Sequence, residues 1–156
     1  MVDGVVFPGG KKITPFDEYL LKSCIERKIP TLGICLGMQL MSCLGEKFEV
    51  YPNEEKKHFQ DNDLDLTHKV KIEKDTLLYK ILGEEEIMVN SFHNFHVEVN
   101  NNYKVNAYSE DGFVEGIELD SNTFSLGIQW HPEISYDFDE NSKKIIDYFI
   151  DICSIL

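Results

Sequence analysis

The chain of 156 residues predicts an α/β fold: an open, mainly parallel sheet flanked by helices, with an antiparallel strand excursion in the C-terminal half. Three observations predict it. Strand, helix, strand and helix alternate within the first forty-five residues, and that alternation implies parallel strands joined by crossover helices. From His68 onward the pattern changes to short strands in close succession. The chain then ends on a segment whose apolar residues recur at helical spacing. No internal repeat, low-complexity tract or linker interrupts it, so residues 1–156 read as a single domain.

The elements follow in order. "DGVVF" (3–7) is a short buried strand stopped by Pro8-Gly9-Gly10. A helix begins at about Pro15: Thr14 suits the N-cap, Pro15 the first helical position, and Asp17 puts a carboxylate in the first turn. Phe16, Tyr19, Leu20 and Ile25 mark its apolar side. "IPTLGIC" (29–35) is a second buried strand, and "GMQLMSCLG" (37–45) a helix closed by Gly45. Residues 46–68 are polar and read as a loop or excursion. "HKVKI", "EIMVN", "HVEV", "YKVNAYS", "FVEGIEL" and "FSLGIQW" read as strands. A last helix from about Asn141 lines up Ile145, Ile146, Phe149, Ile152, Cys153 and Leu156 against one face of the sheet.

Charge and composition exclude several functions. A net charge of −13, from 28 acidic against 15 basic residues, argues against a nucleic-acid partner, because binding to a phosphate backbone is driven largely by Lys and Arg. No apolar run approaches the roughly 18 residues of a membrane span. The start, "MVDGVVFPGG", lacks the basic and apolar regions of a signal peptide. Cys24, Cys35, Cys43 and Cys153 form no C-x-x-C pair and no regular spacing. That speaks against a disulfide framework and for a reducing cytoplasm.

"TLGICLGMQLM" (31–41) holds a thiol between two glycines where a strand turns into a helix. That is the layout of a nucleophile elbow, in which small neighbours permit a sharp turn. The helix N-terminus favours the thiolate, and the N–H of Leu36 would face a developing oxyanion. Taken alone, the stretch favours a buried structural cysteine. "GIQWHPE" (127–133) reverses the balance. A cysteine nucleophile wants a histidine base, and the base wants a group to hold its ring. His131 and Glu133 stand two apart, and Pro132 favours extended backbone at His131, so both side chains are expected on one side.

"FPGG", "LGICLGMQL", "VNSFHN" and "GIQWHPE" together resemble the class I glutamine amidotransferase superfamily over most of the chain. "VNSFHN" with "AYSEDGFVEGIE" and "GIQWHPE" is similar to its gamma-glutamyl hydrolase branch, the glutamine amidotransferase-like peptidases. The resemblance implies a flavodoxin-like fold and hydrolysis of a gamma-glutamyl amide, a small-molecule substrate, through a gamma-glutamyl thioester, with no cofactor. It makes Cys35 the nucleophile, His131 the general base and acid, and Glu133 the residue that orients His131. Leu36 and the Gly9–Gly10 turn would donate to the oxyanion. Gln39, Ser91, Phe92 and His93 match positions lining the glutamyl pocket. Relative to the family, the chain is N-terminally short by a strand and a helix. Leu36 stands where many of the hydrolases carry arginine, so "GICLGMQ" is closer to subunits that pass ammonia to a synthase partner. Hydrolase, ammonia-delivering glutaminase and non-catalytic family member are therefore the three readings.

Other residues read more plainly. His93 and His96 are three apart, so a strand points them to opposite sides and they do not converge on a metal; no metal site is expected. His96 reads as a strand-end histidine. Cys24, Cys43 and Cys153 read as small core residues and Trp130 as packing. Lys11 and Lys12 read as solvated, as do the acidic runs 83–86 and 137–140, the second also favouring the start of the last helix.

Overall fold

The computed structural model describes residues 2–46, 51–52, 65–93 and 95–155. Strand β1 (Val5–Phe7) is followed by helix α1 (Pro15–Glu26). At the start of α1 the Thr14 hydroxyl accepts from the Asp17 N–H, while the Asp17 carboxylate accepts from the Thr14 N–H at 2.8 Å, a reciprocal capping box. The helix meets its neighbours through buried Leu21 and Cys24, with Leu20 and Ile25 beside them. At about 100° per residue this turns Phe16 and Tyr19 to the outside. Both are 66% exposed, contrary to their expected place on the apolar side.

Strand β2 (Thr31–Ile34) is buried throughout and runs into helix α2 (Leu36–Ser42). The carbonyls at the end of α2 are satisfied by Asn101, whose amide donates to those of Met41, Ser42 and Leu44. Strand β3 (Tyr51–Pro52) is the described part of the polar middle; the remainder of that expected loop lies outside the described residues. Strand β4 (His68–Ile72) leads to helix α3 (Leu77–Leu82) and strand β5 (Glu86–Val89). The short strand β6 (Phe95–His96) pairs with β3, while the expected strand 96–99 ends at His96.

Strands β7 (Tyr103–Ser109), β8 (Val114–Leu119) and β9 (Ser125–Ile128) are joined by tight turns. Two helices end the described chain, α4 (Pro132–Ser135) and α5 (Glu140–Ser154). Asp139 caps α5 by accepting from the Ser142 N–H at 2.9 Å, so the second acidic run helps to start that helix. Sequence reading passes over α3 altogether. It is held at its start by Thr76 and by the buried Glu118 of β8, which accepts from the N–H groups of Leu77 and Leu78 at 2.7 and 3.1 Å.

Seven strands form one sheet in the order β1-β2-β9-β8-β7-β4-β5. The α/β architecture and the antiparallel excursion agree with expectation, but the parallel part is narrow: β1-β2 and β2-β9 are parallel and the other four pairings antiparallel. For β7-β8 and β8-β9 the reason is connection length, since short turns join only antiparallel neighbours. Helices α1 and α2 cover one face, over Phe7, Tyr103 and Ile117. Helices α3 and α5 cover the other, over Leu32, Ile34, Leu126 and Ile128. Alternation along β2 and β9 leaves Gly33 and Gly127 beneath α2, where a Cβ would approach the Met41 sulfur or the Met38 side chain to 2.8–2.9 Å. Glycine there lets α2 lie close, and this sets the depth of the residue just before it. Among the described residues no helix is long and apolar enough to cross a membrane.

Candidate active site

Cys35 sits between β2 and α2 with φ 52° and ψ −103°, in the left-handed half of backbone space that side chains other than glycine rarely occupy. Such local strain persists only where the surroundings hold it. Here the Cys35 N–H donates to the Ile128 carbonyl of β9 at 2.8 Å, and its carbonyl accepts from the Gln39 N–H of α2 at 3.1 Å. The side chain is 9% exposed. Leu36 opens α2, so its N–H has no acceptor within the helix. Gly37 packs so closely on β1 that a Cβ there would lie 2.0 Å from the Phe7 carbonyl oxygen.

His131 stands just after β9, with its ring beside Cys35 over Gly9. Its Nδ1 lies 2.5 Å from Glu133 Oε1. The route differs from the expected strand alternation. Pro132 starts helix α4 instead of extending the strand, and Glu133 reaches His131 from the first turn of that helix. Burial works against a charge on His131 and is the largest single influence. The hydrogen bonds to Cys35 and Glu133, with the negative charge they bring, outweigh it together and push His131 up to about 9. Gly9 is needed for the approach: a Cβ there would lie 2.8 Å from His131 Cε1 and 3.6 Å from Cys35 Cβ. Gly10 packs on Leu36, where a Cβ on the glycine would lie 3.2 Å from Leu36 Cδ2. Cys35, His131, Glu133, Gly9, Gly10 and Leu36 are thus brought together at the carboxyl ends of β1, β2 and β9, where open α/β sheets carry their sites.

The residues matched to a glutamyl pocket divide. Phe92 presents an edge-to-face contact to the His131 ring, with centroids 5.7 Å apart at 82°. Ser91 is fully buried. Gln39 is buried inside α2 and donates from Nε2 to Gln129 Oε1 at 3.4 Å. His93 is also buried, with Nδ1 2.7 Å from the Phe95 carbonyl and Nε2 3.5 Å from the equally buried Glu115. His96 stacks between Tyr51 and Phe113, at centroid distances of 5.5 and 4.2 Å. Among the described residues no group of three or more His, Cys, Asp or Glu has a metal-holding arrangement. A cavity of about 160 Å³ borders the site, lined by Pro8, Gly9, Gly10, Ile13, Leu36 and Leu40, with Lys12 and Asp17 among its other lining residues.

Two residues escaped sequence reasoning. Gln129 is fully buried and donates from Nε2 to Cys35 Sγ at 3.4 Å. Asn90 pairs with the His131 backbone. Both lie inside motifs already singled out, "GIQWHPE" and "VNSFHN". The available signal was a polar side chain at the inner end of an apolar strand.

Comparison with known proteins gives the chain's relatives. The Peptidase C26 family model matches residues 1–133. Protein NtpR of Enterococcus hirae is 30% identical across 96% of this chain and 74% of its own length. The gamma-glutamyl-gamma-aminobutyrate hydrolase PuuD of Escherichia coli is 31% identical across 86% of this chain, which spans 58% of that hydrolase's length. A Thermoplasma acidophilum protein assigned as a GMP synthase subunit superposes with a TM-score of 0.71 at 25% identity, covering 97% of this chain and 73% of its own. The chain therefore belongs to the Peptidase C26 family, as a hydrolase of the glutamine amidotransferase-like kind.

Proposed function

We propose that the protein hydrolyses a gamma-glutamyl amide through a gamma-glutamyl thioester on Cys35. The observation that carries this reading is the strained Cys35 elbow with the His131 ring beside it over Gly9 and Glu133 behind the ring. The Cys35 thiolate attacks the amide carbonyl carbon, a C–S bond forms, and the carbonyl π pair moves onto oxygen. The N–H of Leu36 and the Gly9–Gly10 turn receive that oxyanion. Protonated His131 gives its proton to the nitrogen as the C–N bond breaks, and the amine leaves. Neutral His131 then takes a proton from water, whose oxygen attacks the thioester. Collapse of the second oxyanion breaks the C–S bond, releases glutamate and restores the thiolate beside protonated His131. Glu133 holds the ring and supports its charge throughout.

The relative named gamma-glutamyl-gamma-aminobutyrate hydrolase supports a gamma-glutamyl conjugate as substrate. One observation favours a second reading, a glutaminase subunit that passes ammonia to a synthase: the likeness to the GMP synthase subunit, together with Leu36 in the elbow. Four free thiols support a reducing compartment, the cytoplasm, for either. Purified protein incubated with glutamine and a panel of gamma-glutamyl amides should release glutamate, and Cys35→Ala should abolish the release. Release only after a synthase is added selects the second reading. No release in any mixture, with no labelling of Cys35 by an electrophilic glutamine analogue, refutes both.

A further inference from the structure

The residue after β5 reaches the site from the far side of the sheet. Strand β5 is four places from β9, and at about 4.8 Å per strand a flat sheet would hold them roughly 19 Å apart. Yet Asn90 Oδ1 accepts from the His131 N–H at 2.8 Å, and Asn90 Nδ2 donates to the His131 carbonyl at 2.8 Å. The antiparallel half of the sheet must curl toward the site for this to happen. Asn90 is 1% exposed, so the pair is shielded from water. His131 needs such a partner because β9 ends at Ile128; among the described residues only a weaker bond from the Ile134 N–H, at 3.3 Å, also reaches its carbonyl.

We infer that Asn90 is the positioning residue for His131. One planar amide grips both polar groups of a single residue, as a neighbouring strand would. That fixes the backbone at φ −111° and ψ 86° and with it the direction of the Cα–Cβ bond. Glu133 and Phe92 then hold only the rotation of a ring whose root is already set. Asparagine is required on chemical grounds, since a single short side chain must both donate and accept. Aspartate keeps the acceptor but turns a charged oxygen toward the His131 carbonyl, and alanine keeps neither bond. Phe92 follows Asn90 by two residues, so one segment places the His131 backbone and touches its ring.

This inference rests on the proposed hydrolysis for its kinetic readout, but not for its second readout. Asn90→Ala should lower kcat on a gamma-glutamyl amide about 100-fold, the scale of a misplacement near 1 Å, with KM unchanged. Independently of any substrate, iodoacetamide should alkylate Cys35 more slowly at a fixed neutral pH in Asn90→Ala, because His131 no longer stands beside the sulfur. Asn90→Asp, close to the native side chain in volume, should show a shortfall that shrinks as pH falls, since a protonated carboxyl again both donates and accepts. It serves as the test if the alanine variant does not fold. A lowered melting temperature with wild-type kcat and a wild-type alkylation profile overturns the inference. A wild type that hydrolyses no gamma-glutamyl amide removes the functional reading alone, and the alkylation profile still decides the role of Asn90.

Discussion

Glu133 holds His131 from the first turn of a helix that Pro132 begins, its Oε1 2.5 Å from Nδ1 of the ring. Extended backbone would place the two side chains on one face; here helix α4 brings the carboxylate to the ring instead. The H-P-E sequence therefore supplies the ring, the helix start and the ring support in three consecutive residues.

The charge on His131 gives the first prediction. Burial opposes that charge, while the bonds to Cys35 and Glu133 raise the group from 6.5 to about 9. A group raised in the folded state stabilises the fold fully below its unfolded value, and the contribution is lost as pH rises through the folded value. In an NMR titration the His131 ring of the wild type should change state near 9, and Glu133→Gln should move it down. The stability advantage of wild type over Glu133→Gln should be largest below pH 6.5 and fade by pH 9. An advantage that grows with pH would run against this account.

Gln129 gives the second. Its amide is fully buried beneath the thiol and donates to Cys35 Sγ, while Gln39 Nε2 orients the opposite end of the group. A hydrogen bond to a charged acceptor is worth about 1.5 kcal/mol or more. Gln129→Leu should therefore slow alkylation of Cys35 at neutral pH roughly tenfold. Gln39→Leu should act in the same direction and less strongly, because Gln129 is then loosened rather than lost. Unchanged alkylation in Gln129→Leu would show that its contact with the sulfur is only packing.

Glycine positions give the third. Gly37 has no room, since a Cβ would meet the Phe7 carbonyl oxygen at 2.0 Å, whereas Gly45 has open space but a φ of +83°. Gly37→Ala should cost about 3 kcal/mol or more, because backbone has to move. Gly45→Ala should cost about 1 kcal/mol, from backbone conformation alone. Chemical denaturation of the two variants tests the difference, and equal losses would contradict it.

Much of the architecture was legible because local chemistry specified it. Thr14, Pro15 and Asp17 form the capping box at the positions their types suggest. The glycines around Cys35 mark a turn that only a close approach explains. What stayed hidden depends on contacts between distant segments. Helix α3 has only six residues, and Glu118, about forty positions away, completes its start, although Thr76 and Gly83 were readable caps. Phe16 and Tyr19 are apolar yet exposed, because tertiary packing chose the Leu21–Cys24 side of α1. His93 resembled a pocket residue by motif, while the fold buries it against Glu115. The grip of Asn90 on His131 depends on the curl of the sheet, which no local pattern encodes.

The most direct test of the central claim is intact-mass and peptide mass spectrometry of the acid-quenched protein after brief mixing with a gamma-glutamyl amide. The account predicts a gamma-glutamyl adduct on the peptide containing Cys35, absent in Cys35→Ala and removed by hydroxylamine as a thioester should be. Glutamate release with no adduct on Cys35, or release that survives Cys35→Ala, would contradict it.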